Sequence, residues 1–474
     1  MKSLISSSII YTLGRVLPQV VSFILLPVYT FYISTEDYGI INSMQVLSAI
    51  IVLFFTCALD RGVLRMYYDF DSSLIKKTYL GTISISIFII STVFLIIFFL
   101  FSDKLNLIYS SIDFYPFYSY TLISCYLEVF SLIPLIYLQI HNRPLIYISL
   151  NLFKFIIGVS LTLYFIIFLN AGAIGMIKAL FFSNLIVTPV YLYFAFKSFS
   201  FKLDFKMLLD TFKFTLPILP TLLAAWVLNI SDRIFVEKYF NMTDVGIYSL
   251  GSKISGSVLI LFGAFSIAYS PYFFEKAKKQ LNNKDLFIFN KQICIFFLFL
   301  TFSLFFLSEE IIKIFFNADY YESVNVIQIL SLHTILAVFL GVLNLMYYQS
   351  KATLPLLYIF IVGAVVNIVL NFVLIPELSF IGASFSTVLS FLVMFLIQLK
   401  FAKNYYYIPF DWKNIFRVTV GFSVIYYLFE LLIIDNIYIS IIIKCIILIF
   451  AFFVLVGRDN ILRKLNLFKK KSND

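Results

Sequence analysis

Charged side chains interrupt several of the long apolar runs in this 474-residue sequence, among them Arg15, Lys154, Lys178, Arg233, Lys253 and Lys444 as cations and Glu128 and Asp232 as acids. A charge inside a hydrocarbon layer costs at least ~2.5 to 3.5 kcal/mol on insertion scales, so those a sequence keeps face a cavity or a partner. Arg15 sits on a polar stripe with Ser8, Tyr11, Thr12, Gln19 and Ser22 at helical spacing, one turn before Pro18. Glu128 has a similar stripe of Thr121, Ser124, Cys125 and Ser131. Lys253 lies roughly 12 Å into its run at 1.5 Å per residue, beside Gly246, Ser249, Gly256 and Ser257. Lys154 follows Asn151 by three residues, and Lys178 follows Gly175 by three. Snorkelling to the interface is the competing reading for each lysine, strongest for Lys178 and Lys444.

Several cations against one mid-membrane acid describe an electropositive interior suited to an anion, and arginine in particular holds phosphate oxygens bidentately. With apolar protein around it, such an anion can carry a lipid tail that stays in the bilayer. The candidate anion-binding residues are Arg15, Lys154, Lys178, Lys253 and Arg233, and the candidate ion-coupling acids are Glu128 and Asp232. Arg233 and Glu237, at i and i+4, also suit a structural ion pair. Asn367 and Asn371 share that spacing and are expected to bond between helices rather than to a ligand. With only His141 and His333, and with Cys57, Cys125, Cys294 and Cys445 in apolar runs at no metal-binding spacing, no cofactor or metal is expected and the thiols read as buried.

The elements that must position these residues are membrane helices. The sequence is 62% hydrophobic and 13% charged, against roughly 25% charged in soluble domains. Apolar runs long enough to span a bilayer recur throughout. Fourteen spans are expected, at about 8–33, 39–60, 79–101, 115–138, 146–169, 173–196, 215–239, 245–270, 290–307, 322–347, 354–375, 380–401, 414–434 and 437–457. No cleavable signal is read before the first, which is expected to remain a membrane helix. Placing the N-terminus in the cytoplasm puts 25 of the 35 Lys and Arg residues in cytoplasmic segments, 3 in outer loops and 7 within spans, as positive-inside orientation requires. Both termini are then cytoplasmic.

The outer loops carry acids such as Glu36, Asp37, Asp244, Glu310 and Glu377, and none exceeds roughly fifteen residues. That shortness argues against an enzyme such as a polymerase or ligase acting at the outer face. The formal charge of +10 is absorbed by the topology, and the aromatics lie within apolar spans, so nucleic-acid binding is excluded. The basic segments 197–214 and 271–291 read as amphipathic surface helices facing solvent or lipid headgroups.

A repeat organises the chain. Thr35-Glu36-Asp37-Tyr38-Gly39-Ile40 matches Thr243-Asp244-Val245-Gly246-Ile247 with one residue deleted. A period near half the length predicts two similar lobes. The expected organisation is all-α: a six-helix lobe over 1–205, a second over 206–403, and two further helices with a basic tail over 404–474.

Three stretches carry a family resemblance. They are Gly14-Arg15 through Asp37-Tyr38-Gly39; Lys213-Phe214-Thr215-Leu216-Pro217 with Pro220, Ser231-Asp232-Arg233 and Gly246-Ile247-Tyr248; and Val366-Asn367-Ile368-Val369-Leu370-Asn371 with Ile375-Pro376 and Gly382-Ala383-Ser384. The sequence resembles the polysaccharide-exporter branch of the multidrug/oligosaccharidyl-lipid/polysaccharide (MOP) flippases, close to the O-antigen (Wzx-type) transporters. The resemblance implies two six-helix lobes, related by a pseudo-two-fold axis along the membrane normal, around a cationic cavity. It implies a bacterial inner-membrane flippase moving an undecaprenyl-diphosphate-linked oligosaccharide to the periplasmic leaflet. The implied partners are H+ or Na+ as driving ion, membrane lipids and other polysaccharide-assembly proteins. For a first-helix arginine it implies a substrate contact, which falls on Arg15. A drug exporter of the same superfamily would want carboxylates in its cavity, and the lysine excess argues against one.

Overall fold

The computed structural model describes residues 14, 16–278, 283–432, 434 and 436–456. Arg15, with Ser8, Tyr11 and Thr12 of its stripe, and the basic tail lie outside the described residues. Helices follow the apolar runs, and no strand occurs among the described residues. In order they are α1 (16–24), α2 (Leu26–Tyr32), α3 (Thr35–Thr56), α4 (Leu59–Met66), α5 (Ser73–Leu100), α6 (Ser102–Leu105), α7 (Ser119–Ile140), α8 (Pro144–Leu163), α9 (Gly172–Ser198) and α10 (Phe205–Thr215). There follow α11 (Leu219–Tyr239), α12 (Met242–Ser255), α13 (Ser257–Lys278), α14 (Asn283–Phe306), α15 (Ser308–Phe315), α16 (Ser323–Gln349), α17 (Thr353–Ala402), α18 (Trp412–Glu430) and α19 (Ile437–Ala451). Local chemistry sets several starts. Ser34 accepts from the Asp37 amide at the head of α3, Asp204 caps α10, and Pro144 begins α8, where a missing N–H costs nothing.

Among the described residues, eleven helices are long and apolar enough to cross a membrane. One of them, α17, contains two expected spans. At Ser379 its backbone turns to φ 51°, ψ −138°, and a Cβ on Gly382 would lie 2.4 Å from the Leu374 carbonyl oxygen. Residues eight apart in a continuous helix are roughly 12 Å apart, so the chain folds back here. The expected surface helix over 197–214 forms only from Phe205; residues 199–204 are an extended loop. Residues 271–278 continue α13 instead of forming a separate surface helix.

By packing, the chain divides into one unit of Met1–Ser249 with Phe360–Ser386 and another of Leu250–Ile359 with Thr387–Asp474. In the first, α7 packs on α3, α5, α8 and α9, and α11 on α3. Trp226 of α11 donates its indole N–H to the Val46 carbonyl of α3 at 3.1 Å. Less than a quarter of the apolar stretch of α5 is buried, whereas that of α3 is more than half buried. An apolar helix that the protein leaves uncovered is membrane surface.

The same unit shows the repeat as a contact. A Cβ on Gly39 would lie 2.1 Å from the Met242 carbonyl oxygen, and one on Gly246 would lie 2.0 Å from that of Thr35. Helices α3 and α12 therefore touch backbone to backbone at their first turns, each through its own glycine. This reciprocity fixes the alignment. Thr35 corresponds to Met242 and Gly39 to Gly246, at a constant offset of 207 residues, so the repeat needs no deletion. The caps agree, since Asn241 accepts from the Asp244 amide as Ser34 does from Asp37.

The second unit has a buried ion pair that the sequence reading placed elsewhere. Glu310, expected in an outer loop, is 2% exposed in α15, and Lys444 of α19, for which snorkelling was the competing reading, is 5% exposed. Their charged atoms are 2.7 Å apart. Ser440 donates to the same carboxylate at 2.6 Å, and the ammonium lies 5.0 Å from the ring centroids of Phe306 and Phe429. Lys444→Met should destabilise the protein by about 3 to 5 kcal/mol, because Glu310 keeps its charge without its cation. Adding Glu310→Gln should recover most of that loss in thermal unfolding; an unchanged midpoint in the single variant would refute the pairing energy. Among the cysteines, Cys125 and Cys294 are buried as expected, Cys57 is half-buried and Cys445 is exposed. The last departs because much of α19 is left uncovered.

Candidate functional site

Three consecutive residues of α11 begin the site. Successive helical side chains point about 100° apart, so Ser231, Asp232 and Arg233 reach different neighbours. Ser231 donates to Asn367 Oδ1 at 2.8 Å. The Asp232 carboxylate accepts from Asn371 Nδ2 at 2.7 Å on one oxygen and from the Tyr248 hydroxyl at 2.5 Å on the other. Arg233 donates through Nε to Ser249 Oγ at 3.1 Å and through a terminal nitrogen to the Asn229 carbonyl at 3.0 Å, with its guanidinium 5.4 Å from the centroid of the Tyr248 ring. The whole cluster is buried: Asp232 is 1% exposed, Arg233 8%, and Asn367 and Asn371 0%.

The pairs Asp232 with Tyr248 and Arg233 with Ser249 are each sixteen residues apart. Both pairs sit at nearly equal distances on either side of the turn that joins α11 to α12. Helices α11 and α12 run back to back around the short turn at Phe240-Asn241, so positions equidistant from the turn face one another. The third wall comes from the first half of α17, which brings Asn367 and Asn371 onto one face four residues apart. The two asparagines thus bond between helices, as their spacing predicts. Glu237 does not pair with Arg233. One of its carboxylate oxygens accepts from Ser110 Oγ at 2.9 Å and from the Ser111 amide and hydroxyl at 2.8 Å each. Arg233 is already committed to α12, and the serine loop offers Glu237 three donors that spacing along one helix cannot reveal.

This cluster is rich in oxygen. Asn371 Nδ2, which meets the Asp232 carboxylate, also donates to Ser231 Oγ at 3.3 Å and Asn367 Oδ1 at 3.2 Å, and Asn371 Oδ1 has no hydrogen-bond partner. One carboxylate with amide and hydroxyl oxygens is a hard donor set, suited to a proton or a small cation and poorly suited to transition metals. No group of three or more His, Cys, Asp or Glu side chains gathers as a metal centre among the described residues. Tyr248 and the Ser110-Ser111 loop are the parts that sequence reasoning missed. Tyr248 stood within the Gly246-Ile247-Tyr248 motif, and the hairpin register was the signal that assigns it to Asp232.

The remaining described candidates lie on α7, α8, α9 and α12. Lys154 Nζ lies 3.5 Å from Glu128 Oε1, with the acid's side chain 42% exposed and the lysine's 24%. Lys178 places its ammonium 5.6 Å from the ring centroid of Tyr120. Lys253 is half-buried near the end of α12. The Glu128–Lys154 geometry suits an ion pair between α7 and α8. Glu128→Gln alone should impair transport, and adding Lys154→Met should restore it if the two only neutralise each other. A double variant as defective as the single one would instead assign Glu128 to ion coupling.

Residues 4–277 match the family described as polysaccharide biosynthesis protein, more than half of the chain. The chain belongs to that family. An uncharacterized membrane protein of Haemophilus influenzae is 24% identical over 294 residues, covering 60% of this chain and 69% of the relative. Among solved structures, the lipid II flippase MurJ in an inward closed conformation matches with a TM-score of 0.73 at 16% identity, over 97% of this chain and 98% of that one. A multidrug resistance MATE family transporter of the MOP superfamily, in an outward-facing conformation, matches with a TM-score of 0.59 at 13% identity, over 85% of this chain and 94% of that one. The fold of this polysaccharide-biosynthesis family member is thus that of the MOP superfamily, and it is a multi-pass membrane protein.

Proposed function

We propose that this protein is a flippase, not an enzyme, that moves an undecaprenyl-diphosphate-linked oligosaccharide, an O-antigen or similar surface-polysaccharide repeat unit, from the cytoplasmic to the periplasmic leaflet of a bacterial inner membrane. The observation that carries this reading is membership in the polysaccharide biosynthesis family on a chain with cations on its membrane helices. Arg15 and Lys178 hold the diphosphate, Lys154 neutralises Glu128, Lys253 is a further substrate-binding cation, and the lipid tail stays in the bilayer. Arg233, with its donors turned to Ser249 and Asn229, positions α11 against α12. Fourteen spans in two six-helix lobes, 1–205 and 206–403, with 404–474 appended and both termini cytoplasmic, complete the arrangement. Transport proceeds by alternating access, driven by H+ or Na+ through Asp232.

Depleting the protein should make one lipid-linked sugar accumulate on the cytoplasmic side, and identifying that lipid by mass spectrometry names the substrate. Arg15→Ala should reproduce the accumulation at normal membrane abundance, and Arg15→Lys should retain little transport, since a point charge replaces a planar fork. Wild-type transport in the alanine variant would remove Arg15 from the site. Depletion without accumulation of any lipid-linked sugar would overturn the flippase reading.

A further inference from the structure

An apolar groove of about 390 Å³ runs between α5, α7 and α9 in the first unit, a volume within the usual range for ligand sites. Ile87, Ile133 and Ala195 form its buried floor, and Phe88 and Phe196, 46% and 69% exposed, stand on its flanks. One end is closed by Phe201, whose ring centroid lies 5.1 Å from that of Phe196. The groove has no place in the transport reading above, because none of its lining residues is a candidate there.

The closing loop is fixed, not loose. Ser200 donates its amide to the Lys77 carbonyl at 3.0 Å, Thr82 donates its hydroxyl to the Lys202 carbonyl at 2.7 Å, and the Asp204 amide donates to Thr82 Oγ1 at 3.1 Å. Only a glycine at position 81 permits this approach, since a Cβ there would lie 1.9 Å from the Ser200 carbonyl oxygen. Three lysines adjoin the groove's lining along the backbone, and the Lys197 ammonium lies 5.8 Å from the ring centroid of Tyr193. Lys202 follows Phe201, Lys197 follows Phe196, and Lys77 is tied to Ser200. All three are exposed, and among the described residues no carboxylate pairs with any of them. The nearby acid, Asp204, directs its carboxylate to the amides of Lys206 and Met207 at the head of α10.

The level in the membrane follows from α10. Phe205 and Leu209 are 73% and 56% exposed beside Lys206 and Lys213 at the start of the helical stretch Phe205–Asn229, which is long and apolar enough to cross a membrane, so the loop before it lies at the boundary of headgroups and acyl chains. A cationic rim at that boundary above a hydrocarbon groove is complementary to one class of molecule. We propose that the groove seats one acyl chain of an anionic glycerophospholipid, whose phosphate is held by Lys77, Lys197 and Lys202. The space suits a single acyl chain and not a polyprenyl tail several times longer, so the occupant is a bulk lipid and not the transported one. Basic residues at this depth bind anionic headgroups electrostatically, and the attraction weakens with salt.

The test uses the full-length protein purified in mild detergent, with phosphatidylglycerol and phosphatidylcholine as probes and native mass spectrometry as readout. Wild-type protein should retain phosphatidylglycerol in preference to phosphatidylcholine. The triple variant Lys77→Gln, Lys197→Gln, Lys202→Gln should lose that preference by at least about tenfold. Ala195→Phe, which fills the floor, should release both lipids while the three lysines remain. Thermal unfolding of each variant without lipid reports folding, and only the wild type should gain stability from added phosphatidylglycerol. Equal retention of the two lipids by wild-type protein, an unchanged preference in the triple variant, or co-purified lipid at this site that proves to be a polyprenyl diphosphate would each overturn the assignment.

Discussion

Gly246→Ala is expected to lower the thermal midpoint of the purified protein clearly, at a cost of about 3 kcal/mol or more. The added Cβ would lie 2.0 Å from the Thr35 carbonyl oxygen, well inside contact distance, and the atom it meets is backbone at the head of a helix. A side chain turns aside cheaply; a helix start does not. The cost therefore sits at or above the upper end of ordinary overpacking. Gly39→Ala should behave alike, because its Cβ would lie 2.1 Å from the Met242 carbonyl oxygen. Combining them gives a sharper result. Once α3 and α12 have separated to admit one methyl group, the second enters nearly free, so the double variant should cost clearly less than the sum of the singles. Additive losses would mean that the two glycines do not share one contact, and a wild-type midpoint in Gly246→Ala would remove the contact itself.

Asp232→Asn should leave abundance and thermal stability close to wild type and reduce gradient-driven transport more than tenfold. The isostere keeps an oxygen for Asn371 Nδ2 and a group facing the Tyr248 hydroxyl, so the hydrogen-bonded frame between α11, α12 and α17 survives. What it lacks is a charge to bind and release an ion. Asp232→Ala separates the two contributions. It strips partners from Tyr248 and Asn371 in a fully buried site, where each unsatisfied group costs about 1 to 3 kcal/mol, so it should lose stability as well as transport. Normal transport in Asp232→Asn, measured with sealed vesicles under an imposed proton or sodium gradient, would make the residue purely structural.

The positions of most membrane helices were legible in the sequence because the bilayer imposes a local rule: about twenty apolar residues, no polar interruption without a reason, basic residues at one end. The repeat was legible too, though its register was not. A gapped match of short motifs scored residue types, whereas Gly39 and Gly246 align by what they touch, and only the reciprocal contact with Met242 and Thr35 shows that no residue is missing. Helix-to-helix bonding by Asn367 and Asn371 could be read from spacing alone, because i and i+4 share a face.

Partner choice could not be read in the same way. Spacing offered Arg233 to Glu237, but the hairpin carried Arg233 to Ser249 and the loop before α7 supplied three donors to Glu237. Glu310 and Lys444 lie 134 residues apart in the sequence, and each looked like an edge residue until α15 and α19 packed. A sequence fixes the cost of carrying a charge into the membrane, since that depends on the residue and its depth. Which opposite charge or hydroxyl offsets the cost depends on which helices become neighbours, and that is decided by tertiary packing.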